Sequence, residues 1–238
     1  MIGALARVTV WLMLALSVLG GLFWGLVSTP ESNAWMVAVS ALTLLALLFT
    51  AGLAVDVAMR LWRGRPGRPD GAGGWLRPGL RLVPALVVFA AVWWVAQAAG
   101  TQVEASRGRI TAAIIARTGW ADPEIVFTVA RWLVALGAWV IAPLLAFGLF
   151  GALTDGVVGV AGGPWLRRAL SWRALVPGAV VVAAIAWFWP WLEAWRPALP
   201  PTWVQLVFVG AKAAAGVAAL ALVLASFIKL AAVDRDLG

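Results

Sequence analysis

Residues 34–58 read AWMVAVSALTLLALLFTAGLAVDVA, with Asp56 as their single charged residue. A transmembrane helix needs about 20 consecutive, mostly apolar residues, because each residue rises about 1.5 Å and the hydrocarbon core is about 30 Å thick. This stretch of 25 residues is long enough. It therefore predicts a membrane-spanning helix.

Five further stretches have the same character, so the sequence predicts an all-α integral membrane protein with six transmembrane helices. The spans are expected at residues 8–27, 34–58, 82–99, 125–153, 174–194 and 204–233. Of the 238 residues, 63% are hydrophobic and 12% are charged, about half the charged share of a soluble domain. We expect a single transmembrane domain over residues 1–238, made of the helical hairpins 8–58, 82–153 and 174–233.

Lys and Arg residues are unevenly distributed between the connecting segments. Twelve lie on the side of the N-terminus, counting Lys229 at the inner end of the last span, and four lie on the opposite side, while Arg131 and Lys212 lie deeper within predicted spans. Positively charged residues of short loops stay in the cytoplasm. The distribution therefore predicts that both termini are cytoplasmic.

The segment 60–81 is rich in Arg, Gly and Pro and contains one acidic residue, Asp70. Near an anionic leaflet each positive charge gains about 1 kcal/mol, so membrane lipids are a sufficient partner. Nucleic-acid binding needs a groove-reading or exposed aromatic element, which this segment lacks, and we expect no nucleic-acid partner. The residues expected to contact anionic lipid are Arg60, Arg63, Arg65, Arg68, Arg77 and Arg81.

Tryptophan is the only aromatic residue with a polar group in this chain, which has 17 Trp and no Tyr. Eleven lie near the predicted outer ends of the helices, namely Trp24, Trp35, Trp93, Trp94, Trp120, Trp132, Trp187, Trp189, Trp191, Trp195 and Trp203. Five lie near the inner ends, namely Trp11, Trp62, Trp75, Trp165 and Trp172. Interfacial anchoring explains two such belts. The outer group could instead bind a lipid, quinone or carotenoid, or contact another subunit.

The last four spans contain an internal sequence similarity. The motif LVP occurs at 82–84 and 175–177, and VFTVAR at 126–131 corresponds to VFVGAK at 207–212. The motifs keep their order and their charge, which predicts that spans three-four and five-six form a parallel repeat. The tandem hairpin resembles those of bacterial multipass proteins without an assigned role. That resemblance implies that this protein is located in the bacterial inner membrane.

The outer loop of the first copy is longer than that of the second, and the additional residues fall at 103–121. Val103, Ile110 and Ile114 recur there at roughly helical spacing. The segment is expected to lie outside the membrane. A short helix on the membrane surface and a solvated loop are both consistent with this pattern.

Arg131 and Lys212 occupy equivalent positions of the repeat, about 12 Å from the starts of their helices. A charged side chain at the bilayer centre costs at least about 2.5 kcal/mol unless it is paired or solvated, so intramembrane charges are candidate functional residues. With Glu193, and with Gln97 and Glu104 nearby, they could bind an anionic headgroup or solute. Alternatively, they extend to the interface or pair helices through Glu193.

The chain contains no His and no Cys, which are the usual ligands of haem, zinc, copper and iron–sulfur clusters. We therefore expect no metal, no cofactor and no catalytic residue. Four aspartates fall at predicted cytoplasmic helix ends, namely Asp56, Asp155, Asp234 and Asp236. They could form a ring for a coupling ion, although local pairing beside an Arg-rich surface is the simpler interpretation.

These observations favour a non-enzymatic multipass protein that acts as a structural or accessory subunit of a larger membrane complex. The alternative is a transporter, or a protein that binds lipid or an anionic solute, which uses Arg131 and Lys212. A membrane enzyme acting on lipid is the third hypothesis, but the sequence offers it no general base.

Overall fold

The computed structural model describes residues 2–28, 34–64, 76–119, 123–154, 163–194 and 203–232. Within these ranges 96% of the residues are helical and no strand occurs. Six helical segments of this described part are long and apolar enough to cross a membrane. The predicted all-α, multipass character is thus confirmed.

The helices extend beyond the purely apolar stretches of the sequence. Their bounds are α1 Ile2–Ser28, α2 Ala34–Trp62, α3 Leu76–Ala105, α4 Arg107–Thr118, α5 Glu124–Leu136, α6 Ala142–Thr154, α7 Pro164–Ala169, α8 Trp172–Ala194 and α9 Trp203–Ala232. A π-helical segment, Gly137–Ile141, joins α5 and α6 into one fourth span. α3 begins six residues before the predicted span because Arg77 and Pro78 fit a first helical turn, where proline needs no N–H partner.

The π-helical segment lies directly before Pro143 in the fourth span. There the N–H of Ala142 donates to the carbonyl of Gly137, five residues earlier. Proline lacks an N–H, and its ring clashes with the carbonyl four residues before it. One additional residue in the turn relieves that clash, which explains why the helix widens at this position.

The buried core lies where the start of α1, the end of α2, the start of α3 and the ends of α6 and α9 meet. Its residues are Val8, Leu12, Ala58, Met59, Ala85, Phe150, Ala221, Ala225 and Ile228. A second cluster joins the fourth span to α7, α8 and α9 through Val140, Leu144, Leu145, Ala169, Ala174 and Phe227. The end of the bundle that contains the first cluster also carries Arg60, Arg63, Arg77 and Arg81, and we call it the basic end.

α2 and α3 approach each other closely at two glycines. A Cβ atom on Gly52 would lie 2.6 Å from the carbonyl oxygen of Pro78 and 2.7 Å from the backbone of Gly79. A Cβ atom on Gly79 would overlap the ring of Phe49. The two backbones can meet here only because neither residue carries a side chain.

Trp11 connects α1 to α2 within the core. Its indole Nε1 donates to the carbonyl oxygen of Ala54 at 3.0 Å. A carbonyl oxygen has two lone pairs, so it can accept this bond in addition to one from its own helix. Trp11 therefore has a packing role beyond the interfacial anchoring that its sequence position predicts.

The fourth span is much more buried than the other five. In an apolar stretch of 18 residues, 44% of its residues are buried, against 6–11% in the corresponding stretches of the other spans. α3, α8 and α9 all pack against the fourth span, which makes it the central helix of the described part. Trp24, Trp35 and Trp203 are each more than 70% exposed, as residues facing lipid or a partner would be.

Neighbouring helices in the chain pack as the pairs α1–α2, α3–fourth span and α8–α9. α9 also packs against α1, α2 and α6, so the last helix closes the bundle onto the first. The hairpin arrangement and the structural similarity between the pair α3–fourth span and the pair α8–α9 remain predictions.

Candidate functional site

Four charged side chains from α3, α4 and α5 form a cluster away from the basic end. Arg131 Nη2 donates to Glu124 Oε1 at 2.6 Å, and Arg131 Nε lies 3.5 Å from Glu104 Oε1. Arg107 pairs with the second oxygen of Glu124 and lies 3.4 Å from Glu104 Oε2. We call Glu104, Arg107, Glu124 and Arg131 the four-charge cluster. It joins three helices around two carboxylates.

Arg107 also fixes α4 against the fourth span. Its guanidinium carbon lies 4.7 Å from the ring centroid of Phe127, a residue that is only 1% exposed. A cation over an aromatic face is attracted by the negative face of the ring. The segment 103–121, for which the sequence left helix and loop open, contains the helix Arg107–Thr118, ending at Gly119 with φ 71°.

The electrostatics of the four-charge cluster are balanced, with two cations and two anions. Its side chains are 43–56% exposed, and ion pairs exposed to water contribute about 0–1 kcal/mol. An incoming anion would have to compete with two carboxylates for Arg131. This geometry supports a role for Arg131 in joining helices.

Lys212 makes a comparable connection between α8 and α9. Its Nζ donates to the backbone carbonyl of Glu193 at 3.1 Å. The carboxylate of Glu193 accepts a bond from the indole Nε1 of Trp189 at 2.7 Å. In the structure Glu193 lies beside Lys212, and Glu104 lies beside Arg131. Each of the two cations thus links the two helices of its own pair.

Two members of the four-charge cluster were not among the predicted site residues. Glu124 lies seven residues before Arg131, which is two helical turns and hence one face, so this pairing has a sequence signal. Arg107 and Glu124 are 17 residues apart and lie on different helices, α4 and α5. No local spacing rule could have predicted that contact.

A second site lies at the basic end, where Asp56 is completely buried. Arg60 Nε donates to Asp56 Oδ2 at 2.7 Å, and the Arg60 side chain is 31% exposed. The other carboxylate oxygen, Oδ1, has no hydrogen-bond partner among the described residues. Gly52, one turn earlier on α2, touches the first turn of α3.

The arginines expected to contact lipid occupy different environments. Arg60 pairs with Asp56, and Nη2 of Arg63 would lie 3.7 Å from a Cβ on Gly151 of α6. Arg77 is exposed and Arg81 is half-buried. Arg65 and Arg68 lie outside the described residues. Of this group, Arg77 has the most accessible side chain in the described part.

Of the four aspartates in the predicted ring, Asp56 belongs to the described residues, and Asp155, Asp234 and Asp236 lie outside them. Asp56 pairs locally with Arg60, as the simpler interpretation expected, but it is buried and not solvated. Among the described residues, no group of three or more His, Cys, Asp or Glu is arranged to hold a metal ion.

The chain matches no protein-family model, and comparisons with curated proteins and with solved structures give no significant match. Its function is therefore inferred from the chemistry of its own residues.

Proposed function

We propose that this chain is a non-enzymatic multipass membrane protein that serves as a structural or accessory subunit of a larger membrane complex. In this proposal three helical hairpins span a bacterial inner membrane, the last two form a parallel repeat, and both termini are cytoplasmic. Membrane lipids and other membrane subunits are its partners.

The observation that carries the proposal is the open space beside two glycines in the second half of α1. A Cβ atom added to Gly21 or to Gly25 would meet no heavy atom within 4 Å. These two glycines form a GxxxG motif, and Phe23 and Trp24 beside them are 60% and 73% exposed. Among the described residues, a side chain added at either glycine would therefore enter open space.

A GxxxG motif is well suited to contact with another helix. Small residues let two backbones approach closely, and van der Waals packing then drives association in a bilayer, where lipid tails are as apolar as leucine. Contact with lipid tails does not require small residues, because the tails adapt to side chains of any size. The open glycine face of α1 is therefore explained by a helix of another subunit.

The proposal is tested by the double substitution Gly21→Leu and Gly25→Leu. The chain purified in mild detergent is expected to carry a partner in native mass spectrometry, and the variant is expected to lose it. The isolated variant should be at least as stable as the isolated wild-type chain, because the added side chains enter open space and leucine favours a helix more than glycine does. Gly210→Leu is the matched control, since a Cβ there also meets nothing within 4 Å. A wild-type chain that purifies alone, or a variant that keeps its partner, contradicts the proposal.

The alternative function is transport or binding of lipid or anionic solute through Arg131 and Lys212, and the double substitution Arg131→Gln with Lys212→Gln tests it. Under the leading proposal these residues only link helices, so the variant should keep its assembly and lose about 1 kcal/mol or less in free energy of unfolding, as exposed pairs do. Thermal melting measures the change in stability, and calorimetric titration with inorganic phosphate measures anion binding. Phosphate binding that the wild type shows and the variant loses would support the alternative.

A further inference from the structure

α7 is a short helix that packs onto the last turns of the fourth span. A Cβ atom on Gly148 would lie 3.4 Å from the Trp165 ring and 3.8 Å from Cβ of Ala169. Ala169 is 3% exposed and belongs to the core. Gly163 begins the helix with φ 62°, a conformation that favours glycine. α7 is therefore held firmly by one face.

The position of this contact places α7 at the level of a membrane interface. Gly148 lies six residues before Thr154, the last residue of the fourth span, so it is about 9 Å inside the helix end. A helix that packs at this depth borders lipid headgroups on its other side.

The outward face of α7 and the start of α8 combine apolar and cationic side chains. Leu166, Leu170 and Trp172 are 41%, 45% and 70% exposed. The guanidinium of Arg173 lies 5.8 Å from the Trp172 ring centroid. We call this surface the α7 elbow, and its residues are Leu166, Arg167, Arg168, Leu170, Trp172 and Arg173.

No acidic side chain of the described residues balances the charge of the α7 elbow. Residues 163–192 contain no acidic residue, and Arg167, Arg168 and Arg173 pair with no carboxylate in the described part of the protein. Arg131 and Arg107, in contrast, each contact two carboxylates. The elbow therefore presents three cations to a partner of opposite charge.

We propose that the α7 elbow binds an anionic phospholipid. Its arginines contact the headgroup phosphate, to which guanidinium groups can donate paired hydrogen bonds. Its leucines and its tryptophan lie among the upper acyl chains, as the apolar residues of interfacial helices do. The proposal goes beyond the accessory role and does not depend on it, because the elbow needs no second protein.

The experiment compares lipid binding to the full chain in detergent, with phosphatidylglycerol and phosphatidylcholine of identical acyl chains as probes. Native mass spectrometry measures the preference for the anionic lipid. Each interfacial charge contributes about fivefold, so Arg167→Gln with Arg168→Gln should reduce this preference about 25-fold. Arg109→Gln with Arg117→Gln on α4 removes the same charge from exposed positions and should leave the preference largely unchanged.

The first of two further measurements tests whether charge causes the preference, and the second separates a lipid site from a nonspecific attraction between a cationic protein and anions. The wild-type preference should weaken as salt is raised from about 0.05 to 0.5 M, because ions screen exposed charges, and this test needs no variant. Leu166→Gln with Leu170→Gln should weaken binding of both lipids. An unchanged preference in the arginine variant, an equal loss in the α4 control, or full displacement of the lipid by inorganic phosphate would overturn the proposal. Selective capture of an acidic protein in place of lipid would overturn it as well.

Discussion

Replacing Arg60 with alanine is expected to lower the free energy of unfolding by about 3–5 kcal/mol, because the change leaves a buried carboxylate without its cation. Asp56 is completely buried, and Arg60 is its hydrogen-bond partner at 2.7 Å. The free energy is measured by reversible unfolding in mixed detergent micelles. Arg77→Ala is the matched control, since it removes an exposed arginine from the same end and should cost much less.

A double substitution distinguishes charge burial from lost packing at this site. Asp56→Leu with Arg60→Met replaces the ion pair by apolar side chains, and such exchanges are often neutral or stabilising. The double variant should therefore recover most of the stability that Arg60→Ala loses. A loss below about 1 kcal/mol in Arg60→Ala would show that the pair behaves as an exposed one, and the assigned burial of Asp56 would be wrong.

The second large effect is expected at Gly52. Gly52→Ala should lower the free energy of unfolding by about 1–3 kcal/mol, because its Cβ would lie 2.6–2.7 Å from backbone atoms of Pro78 and Gly79. Backbone atoms cannot rotate away, so α2 and α3 must separate. Gly52→Val should cost more than Gly52→Ala.

Gly21→Ala is the control for this prediction, measured on the isolated chain under the same conditions. Both glycines lie inside helices, but a Cβ on Gly21 meets nothing within 4 Å. Helix propensity alone then favours alanine by up to about 1 kcal/mol. Equal responses of Gly52 and Gly21 would show that α2 and α3 do not touch at this position.

Local sequence signals predicted much of the fold and part of the candidate site. Apolar length identified the six candidate spans, and the seven-residue spacing could indicate that Glu124 and Arg131 share a face. The four-residue spacing of Asp56 and Arg60 likewise indicates a helical pair. Hydropathy could not show that α3 begins at Leu76, because the charged residues of its first turns resemble a loop.

The sequence did not reveal the environment of each charge. Arg131 was a candidate anion ligand, and the structure surrounds it with Glu104 and Glu124. Arg60 was a candidate lipid contact, and the structure pairs it with Asp56. Arg167 and Arg168 were not assigned to a site, and they form part of a cationic surface that no acidic residue of the described part pairs with. Each outcome depends on which helices pack together.

The sequence by itself determined the membrane-spanning character of the protein, because the cost of burying polar groups in hydrocarbon depends on composition over about 20 consecutive residues. Only the tertiary structure decided which charges are paired, buried or accessible. Gly21 and Gly52 illustrate the reason. Both are helical glycines in apolar surroundings, yet one meets open space and the other the backbone of α3. Contacts between residues far apart in the chain depend on helix packing, which no local pattern specifies.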